Sequence, residues 1–180
     1  MRKLQIPAVV LVIYTYVNSR LFTLLEVDYF SRMKYENSIV IQLPVVRVIE
    51  LFDNPDNMKY WQKGLQSFEH VSGTPGQPGA VSKLVYKMGN RMVEMKETIT
   101  ERDLPKTFAG IYEAKNVWNY VNNSFIDNGD NTTTYISATE FKFSGLMMKS
   151  IAILMPGAFK KQSQKYLEDF KAFAESQPSV

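Results

Sequence analysis

Glu97 is the carboxylate in this chain that stands on an otherwise apolar strand face, and the spacing around it shows why. Ala80 to Met88 and Arg91 to Glu101 both alternate as strands, and Gly89-Asn90 between them is a two-residue hairpin turn. A turn of that length pairs Met88 with Arg91, Tyr86 with Val93, Leu84 with Met95 and Ser82 with Glu97. Paired side chains share a face, so Leu84, Tyr86, Met88, Val93, Met95 and Ile99 form an apolar surface with Glu97 as its polar exception. Lys83, Lys87, Glu94 and Lys96 take the other face. A carboxylate among apolar neighbours is costly unless paired. Glu97 is therefore the one candidate general acid or base, or the anchor for a polar ligand head, unless Ser82 or a nearby charge simply satisfies it. Tyr86, Trp118 and Tyr120 are further candidates to offer a hydrogen bond or to pack in the same pocket.

Other chemistry is scarce. No cysteine and a single histidine, His70, among 180 residues leave no disulfide, no thiolate nucleophile and no sulfur or multi-histidine metal site. A serine triad would depend on His70, which no motif supports. Gly73-Thr74-Pro75-Gly76-Gln77-Pro78-Gly79 lacks a following Gly-Lys-Ser/Thr and loses amide donors at its prolines, so it reads as a surface loop. The 21 basic and 18 acidic residues are dispersed, which argues against a nucleic-acid binder. No cofactor and no metal is expected.

The positioning elements follow in order. Tyr35 to Leu43 alternates as a strand, and Pro44 opens a helix carrying Val45, Val48, Ile49 and Phe52. Asp53-Asn54-Pro55 ends it and caps a second short helix that reaches Trp61 and closes at Gly64. Strands are expected over 65–71, 80–88, 91–101, 106–113, 117–126 and 132–143; the register of the last two is open, because Asn119, Asn122, Asn123, Ser124, Thr133 and Thr134 blur the alternation. From Gly145 to about Ser176 the pattern is helical, broken at Pro156. Its first part, through Met147 to Met155, is almost wholly apolar; its second carries Phe159, Tyr166, Phe170 and Phe173 on one stripe.

With 45% hydrophobic and 22% charged residues, the chain suits one globular domain. Residues 1–32 read apart from residues 33–180. Leu4 to Val17 is an apolar run after Arg2 and Lys3, short for a membrane span and without an Ala-x-Ala cleavage signal. An over-extended start before Met33, a signal peptide and a membrane anchor all stay open. The expected location is cytoplasmic, with export or anchoring through residues 4–17 as the alternative; membrane contact is expected only if that anchor is real.

A meandering antiparallel sheet with one apolar face must be covered, and the terminal helix is the long element available. At this point the chain resembles the START-like, or SRPBCC, superfamily of helix-grip proteins, shared by birch-pollen allergen-type and bacterial polyketide cyclase-like proteins. The residues that carry the resemblance are Ile39-Val40-Ile41-Gln42-Leu43-Pro44, Phe52-Asp53-Asn54-Pro55-Asp56-Asn57 with Trp61, Gly73 and Gly79, Glu97-Thr98-Ile99-Thr100-Glu101 with Pro105, and the closing helix. The resemblance implies an α+β fold: a seven-stranded curved antiparallel sheet wrapped around a long C-terminal helix, with two short helices between strands 1 and 2. It also implies a cavity between sheet and helix. Leu84, Tyr86, Met88, Val93, Met95, Glu97, Trp118 and Tyr120 are the expected lining, with Met147, Met155 and Phe159 over it; flexible methionines suit a small hydrophobic, lipid-like ligand. Binding or transport without catalysis is the first expectation. A cyclase, dehydratase or hydrolase using Glu97 is the second, and an interaction module acting through the convex face or Leu146 to Met155 the third, since fold alone does not set activity.

Overall fold

The computed structural model describes residues 32–145 and 156–178. Strand β1 (Arg32–Ile41) is followed by helix α1 (Val45–Asp53), a 3-10 turn (Pro55–Asn57) and helix α2 (Met58–Trp61). Then come β2 (Leu65–Ser72), β3 (Val81–Met88), β4 (Arg91–Asp103), β5 (Thr107–Ala114), β6 (Val117–Asp127), β7 (Thr133–Phe143) and helix α3 (Pro156–Glu175). The seven strands form one antiparallel sheet in the order β1-β7-β6-β5-β4-β3-β2, so the chain meanders from β2 to β7 and β1 closes the far edge.

Local chemistry sets the ends of the short helices. Pro44 precedes α1 in extended conformation and accepts the first helical bond from the Val48 amide at 3.1 Å, rather than opening the helix itself. Asn54 receives the Asp56 amide at 3.0 Å and starts the 3-10 turn, as the Asp-Asn-Pro run implies. Gly64 stands at φ +93°, and a Cβ there would meet the Lys87 carbonyl oxygen at 2.8 Å. Gly64→Ala is thus expected to lower stability by about 1–3 kcal/mol, from strain and a backbone clash together, as read by urea unfolding.

The core lies where α1, α2 and α3 meet one end of the sheet. Ile41, Val48, Leu51, Trp61, Phe125, Tyr135, Leu167, Phe170 and Ala174 are buried together. Phe52 sits at the centre, its ring within 6 Å of Trp61, Phe108, Phe125, Tyr135 and Phe170. Arg102 ties α1 to β4, its Nη1 and Nη2 donating to the two Asp53 carboxylate oxygens at 2.6 and 2.5 Å. Along β1, Lys171 Nζ donates to the Val40 carbonyl at 2.5 Å, which covers that sheet edge with the helix. Helix α3 runs closely along β1 and against α2, and makes no comparably close backbone approach to β3, β4 or β5.

Candidate functional site

Strand register brings the site together. On the helix-facing side, one row crosses five strands from Ser82 on β3 through Glu97 on β4, Tyr112 on β5 and Asn119 on β6 to Phe141 on β7. The next row carries Ile99, Gly110, Val121, Thr139 and Tyr35, and the one after it Arg102, Phe108, Asn123, Ser137 and Asn37. This face looks at α3: the Tyr35 and Ser163 hydroxyls are hydrogen-bonded at 2.8 Å, Asn37 Nδ2 donates to Gln164 Oε1 at 2.7 Å, and Phe159 packs on Phe141 and Phe143.

The hairpin of β3 and β4 has the register that a two-residue turn requires, with Met88 opposite Arg91 and Ser82 opposite Glu97. Leu84, Tyr86 and Glu97 are buried and Val93 and Met95 half-buried. Met88, at the turn, is 48% exposed and stands at the tip of the hairpin rather than deep in the interior.

Trp118 and Tyr120 are a correction. Pairing of Trp118 with Lys142 and of Tyr120 with Glu140 sets both on the outer face of the sheet. There the two rings stack at 6.5 Å and Lys142 Nζ lies 4.0 Å over Trp118, so they do not line the interior. Trp118→Ala is expected to cost at most about 1 kcal/mol of stability, the worth of a surface cation–π contact and stack, and to leave interior ligand affinity unchanged in a titration. Met147 and Met155, and the whole Leu146 to Met155 stretch, lie outside the described residues.

Most polar groups inside are already committed. The Tyr86 hydroxyl donates to Gln62 Oε1, and the Tyr135 hydroxyl donates to Asn123 Oδ1 at 2.9 Å. Asn123 Nδ2 in turn reaches the Phe108 carbonyl at 3.4 Å. Burial pushes the phenols of Tyr86 and Tyr135 up, keeping them neutral.

Glu97 differs. It is only 6% exposed, and burial raises its pKa above the ordinary carboxylate range, against the opposing pull of the Tyr112 and Ser82 hydroxyls. Burial also raises Tyr112 well above the usual phenol range, with the Glu97 charge adding to it. Asn119 completes the row: its Oδ1 is sealed from solvent without a hydrogen-bond partner. Gly110 supplies room, since a Cβ there would stand 3.7 Å from the Tyr112 hydroxyl, which leans along its strand over the glycine.

Glu97 can therefore exchange a proton with a group placed beside it, Ser82 and Tyr112 can share theirs by hydrogen bonding, and Asn119 offers an unpartnered acceptor oxygen in the same row. Tyr112 and Asn119 were not singled out from the sequence; the signal for Asn119 was the blurred alternation of β6. Among the described residues no cluster of carboxylates and histidine could hold a metal, and no helix is long and apolar enough to cross a membrane.

Comparison with known proteins agrees with this architecture. No curated protein matches the chain by sequence. Among solved structures it is similar to the ZhuI aromatase/cyclase from Streptomyces sp. R1128, with a TM-score of 0.68 and 11% identity over 80% of this chain and 94% of that one. It is also similar to TTHA0849 from Thermus thermophilus, with a TM-score of 0.64 and 16% identity over 81% and 99%. Truncated norcoclaurine synthase from Thalictrum flavum gives a TM-score of 0.63 and 11% identity over 82% and 96%. These likenesses are of fold. Residues 32–175 match a family model in sequence as well, and the chain belongs to the family described as polyketide cyclase / dehydrase and lipid transport.

Proposed function

We propose that the protein binds a small, largely apolar molecule between the concave sheet face and α3, with the Glu97 row as its polar anchor. The observation that carries this reading is the contrast inside the grip. Tyr35, Tyr86, Asn123 and Tyr135 spend their hydrogen bonds on one another and on the helices, whereas buried Glu97 is met by the hydroxyls of Ser82 and Tyr112, and Asn119 beside Tyr112 leaves its Oδ1 without a partner. Around it, Val93, Met95 and Val121 remain half-buried although they face inward, as the walls of an open pocket do. The similar structures include an aromatase/cyclase and a synthase, and the family description includes lipid transport, so an interior ligand suits them all.

The test is titration of delipidated full-length protein with N-phenyl-1-naphthylamine, a neutral apolar probe that fluoresces in dry surroundings. Saturable binding at one site is expected, abolished by Val121→Trp, which fills the interior, and kept by Trp118→Ala on the outer face. Probe binding that is not saturable, or that survives Val121→Trp in a folded protein, would refute an interior site.

One observation favours a second reading. A carboxyl with a raised pKa beside a phenol is also the equipment of a proton-transfer catalyst, suited to cyclisation or dehydration of a carbonyl compound. Turnover of such a compound that Glu97→Gln abolishes, with binding retained, would establish it.

A further inference from the structure

We propose that the outer face of the sheet, at the end where β1 begins, rests on the anionic surface of a lipid bilayer. This surface is separate from the interior and does not depend on what the interior holds. Register sets Arg32, Lys142, Trp118, Glu113, Lys96 and Lys83 in one outer row, with Lys34, Glu140 and Tyr120 in the row beside it. Glu140 is shared by three cations, Arg32 at 2.6 Å, Lys34 at 3.1 Å and Lys142 at 3.9 Å, so this corner stays positive. Those three side chains are 52%, 65% and 45% exposed, which keeps their charges within reach of a partner. Lys115 on the β5–β6 turn, and Lys87 and Arg91 on the β3–β4 hairpin, add exposed cations at the same end of the sheet. The opposite end carries exposed Asp127 and Asp130 around the β6–β7 turn. That separation of charge along the strands orients the domain toward a negative surface.

Apolar groups at the basic end decide which polyanion fits. Met88 and Met92 at the hairpin tip are exposed, and the stacked, half-buried rings of Trp118 and Tyr120 stand among the cations. A bilayer offers acyl chains behind its phosphates and gathers tryptophan and tyrosine at the headgroup level, whereas a nucleic acid has no acyl phase to take up methionines. Arg32 is also where the chain enters the sheet, and the residues before it include the apolar run Leu4 to Val17 with Arg2, Lys3 and Arg20. An apolar run flanked by basic residues has the composition of a segment drawn to anionic lipid. Residues 18–31 reach at most roughly 45–50 Å, short enough for the run and the outer face to meet one membrane. Among the described residues no helix is long and apolar enough to cross a bilayer, so the contact of this face is with the surface.

Flotation of the full chain with lipid vesicles tests the proposal. Vesicles of phosphatidylcholine containing phosphatidylglycerol are expected to bind about tenfold tighter, or more, than phosphatidylcholine alone, and high salt should remove most of the difference. Lys34→Gln and Lys142→Gln should each weaken binding to the anionic vesicles roughly threefold to fivefold. Lys106→Gln, on the β4–β5 turn at the other end of the sheet, should leave it unchanged. Tryptophan emission should move to the blue on anionic vesicles, and Trp118→Phe should abolish that shift, because Trp61 is already buried. Equal binding to both vesicles, as insertion of the apolar run alone would give, would overturn the proposal. So would no binding to either, an equal effect of Lys106→Gln and the other two lysine substitutions, or an emission shift that survives Trp118→Phe. Tighter binding of single-stranded DNA than of anionic vesicles would overturn it in favour of a nucleic-acid surface.

Discussion

Phe170→Ala is expected to destabilise the protein by about 3–5 kcal/mol, the range for emptying a fully buried phenylalanine site. Phe170 has no exposed surface, and its ring lies 5.1 Å from Trp61, 5.6 Å from Phe52 and 5.8 Å from Tyr135. Those partners come from α1, α2 and β7, so the cavity left by the ring could not close without moving three elements against one another. A domain of this size has roughly 5–15 kcal/mol of stability in all. The loss would lower the midpoint of thermal unfolding by roughly 10 °C. Phe170→Leu, which keeps most of the volume, should cost less than half as much. Urea unfolding followed by circular dichroism reads both; a loss under about 1 kcal/mol in Phe170→Ala would mean that the helix does not anchor the core through this ring.

The second large effect belongs to Glu97 and has a definite pH signature. Its folded pKa lies above its unfolded value because burial penalises the charged form. Below the unfolded pKa both states are protonated and the group is neutral toward stability. As pH rises from there to the folded pKa, the unfolded chain has lost the proton that the folded chain retains. Stability then falls by about 1.4 kcal/mol for each pH unit of separation, and stays at the lower level above the folded pKa. Glu97→Gln removes this penalty while keeping the shape of the protonated carboxyl. The variant should match the parent near pH 4 and exceed it at pH 8, a gain that subtraction of the two profiles isolates from Asp169 and Glu175. Those two carboxyls, held below the ordinary range by lysine partners against the cost of burial, act in the opposite sense, at low pH. A parallel pair of profiles would show that Glu97 is as well solvated in the folded protein as in the unfolded chain.

How much of this was legible in the sequence depends on the turn. Gly89-Asn90 fixes the register of β3 and β4 with two residues, so the face that Leu84, Tyr86, Met95 and Glu97 share could be read residue by residue. The long helix, the two short ones and the Asn54 cap were equally readable from period and punctuation. The faces of β6 and β7 were not, because polar and aromatic residues mix on both sides, with Phe125, Tyr135, Phe141 and Phe143 sharing the inward face with polar neighbours. Asn119, Asn123, Ser137 and Thr139 point toward the helix, while Trp118, Tyr120 and Ile136 face outward. A rule that sends aromatic residues inside places Phe125, Tyr135 and Phe141 correctly and misplaces Trp118 and Tyr120. Inside, Asn123 accepts from Tyr135 and Asn37 of β1 donates to Gln164 of α3, and outside, Lys142 covers the Trp118 ring. Tyr112 escaped for a different reason: the bulge between Ile99 and Glu101 shifts the pairing of β4 with β5, and residue counting from the Leu104-Pro105 turn cannot see it. Among the described residues the helix-facing side of the sheet is partly polar, with Met95 on it and Met88 at the hairpin tip.

The most direct measurement is methyl-resolved NMR of the full chain titrated with N-phenyl-1-naphthylamine. Ligand held inside the grip should shift the methyl signals of Val93, Met95 and Val121, which face α3, and leave Ile111 and Ile136 on the outer face in place. Shifts confined to the outer face, or to Met88 and Met92 at the exposed hairpin tip, would contradict an interior ligand anchored on Glu97.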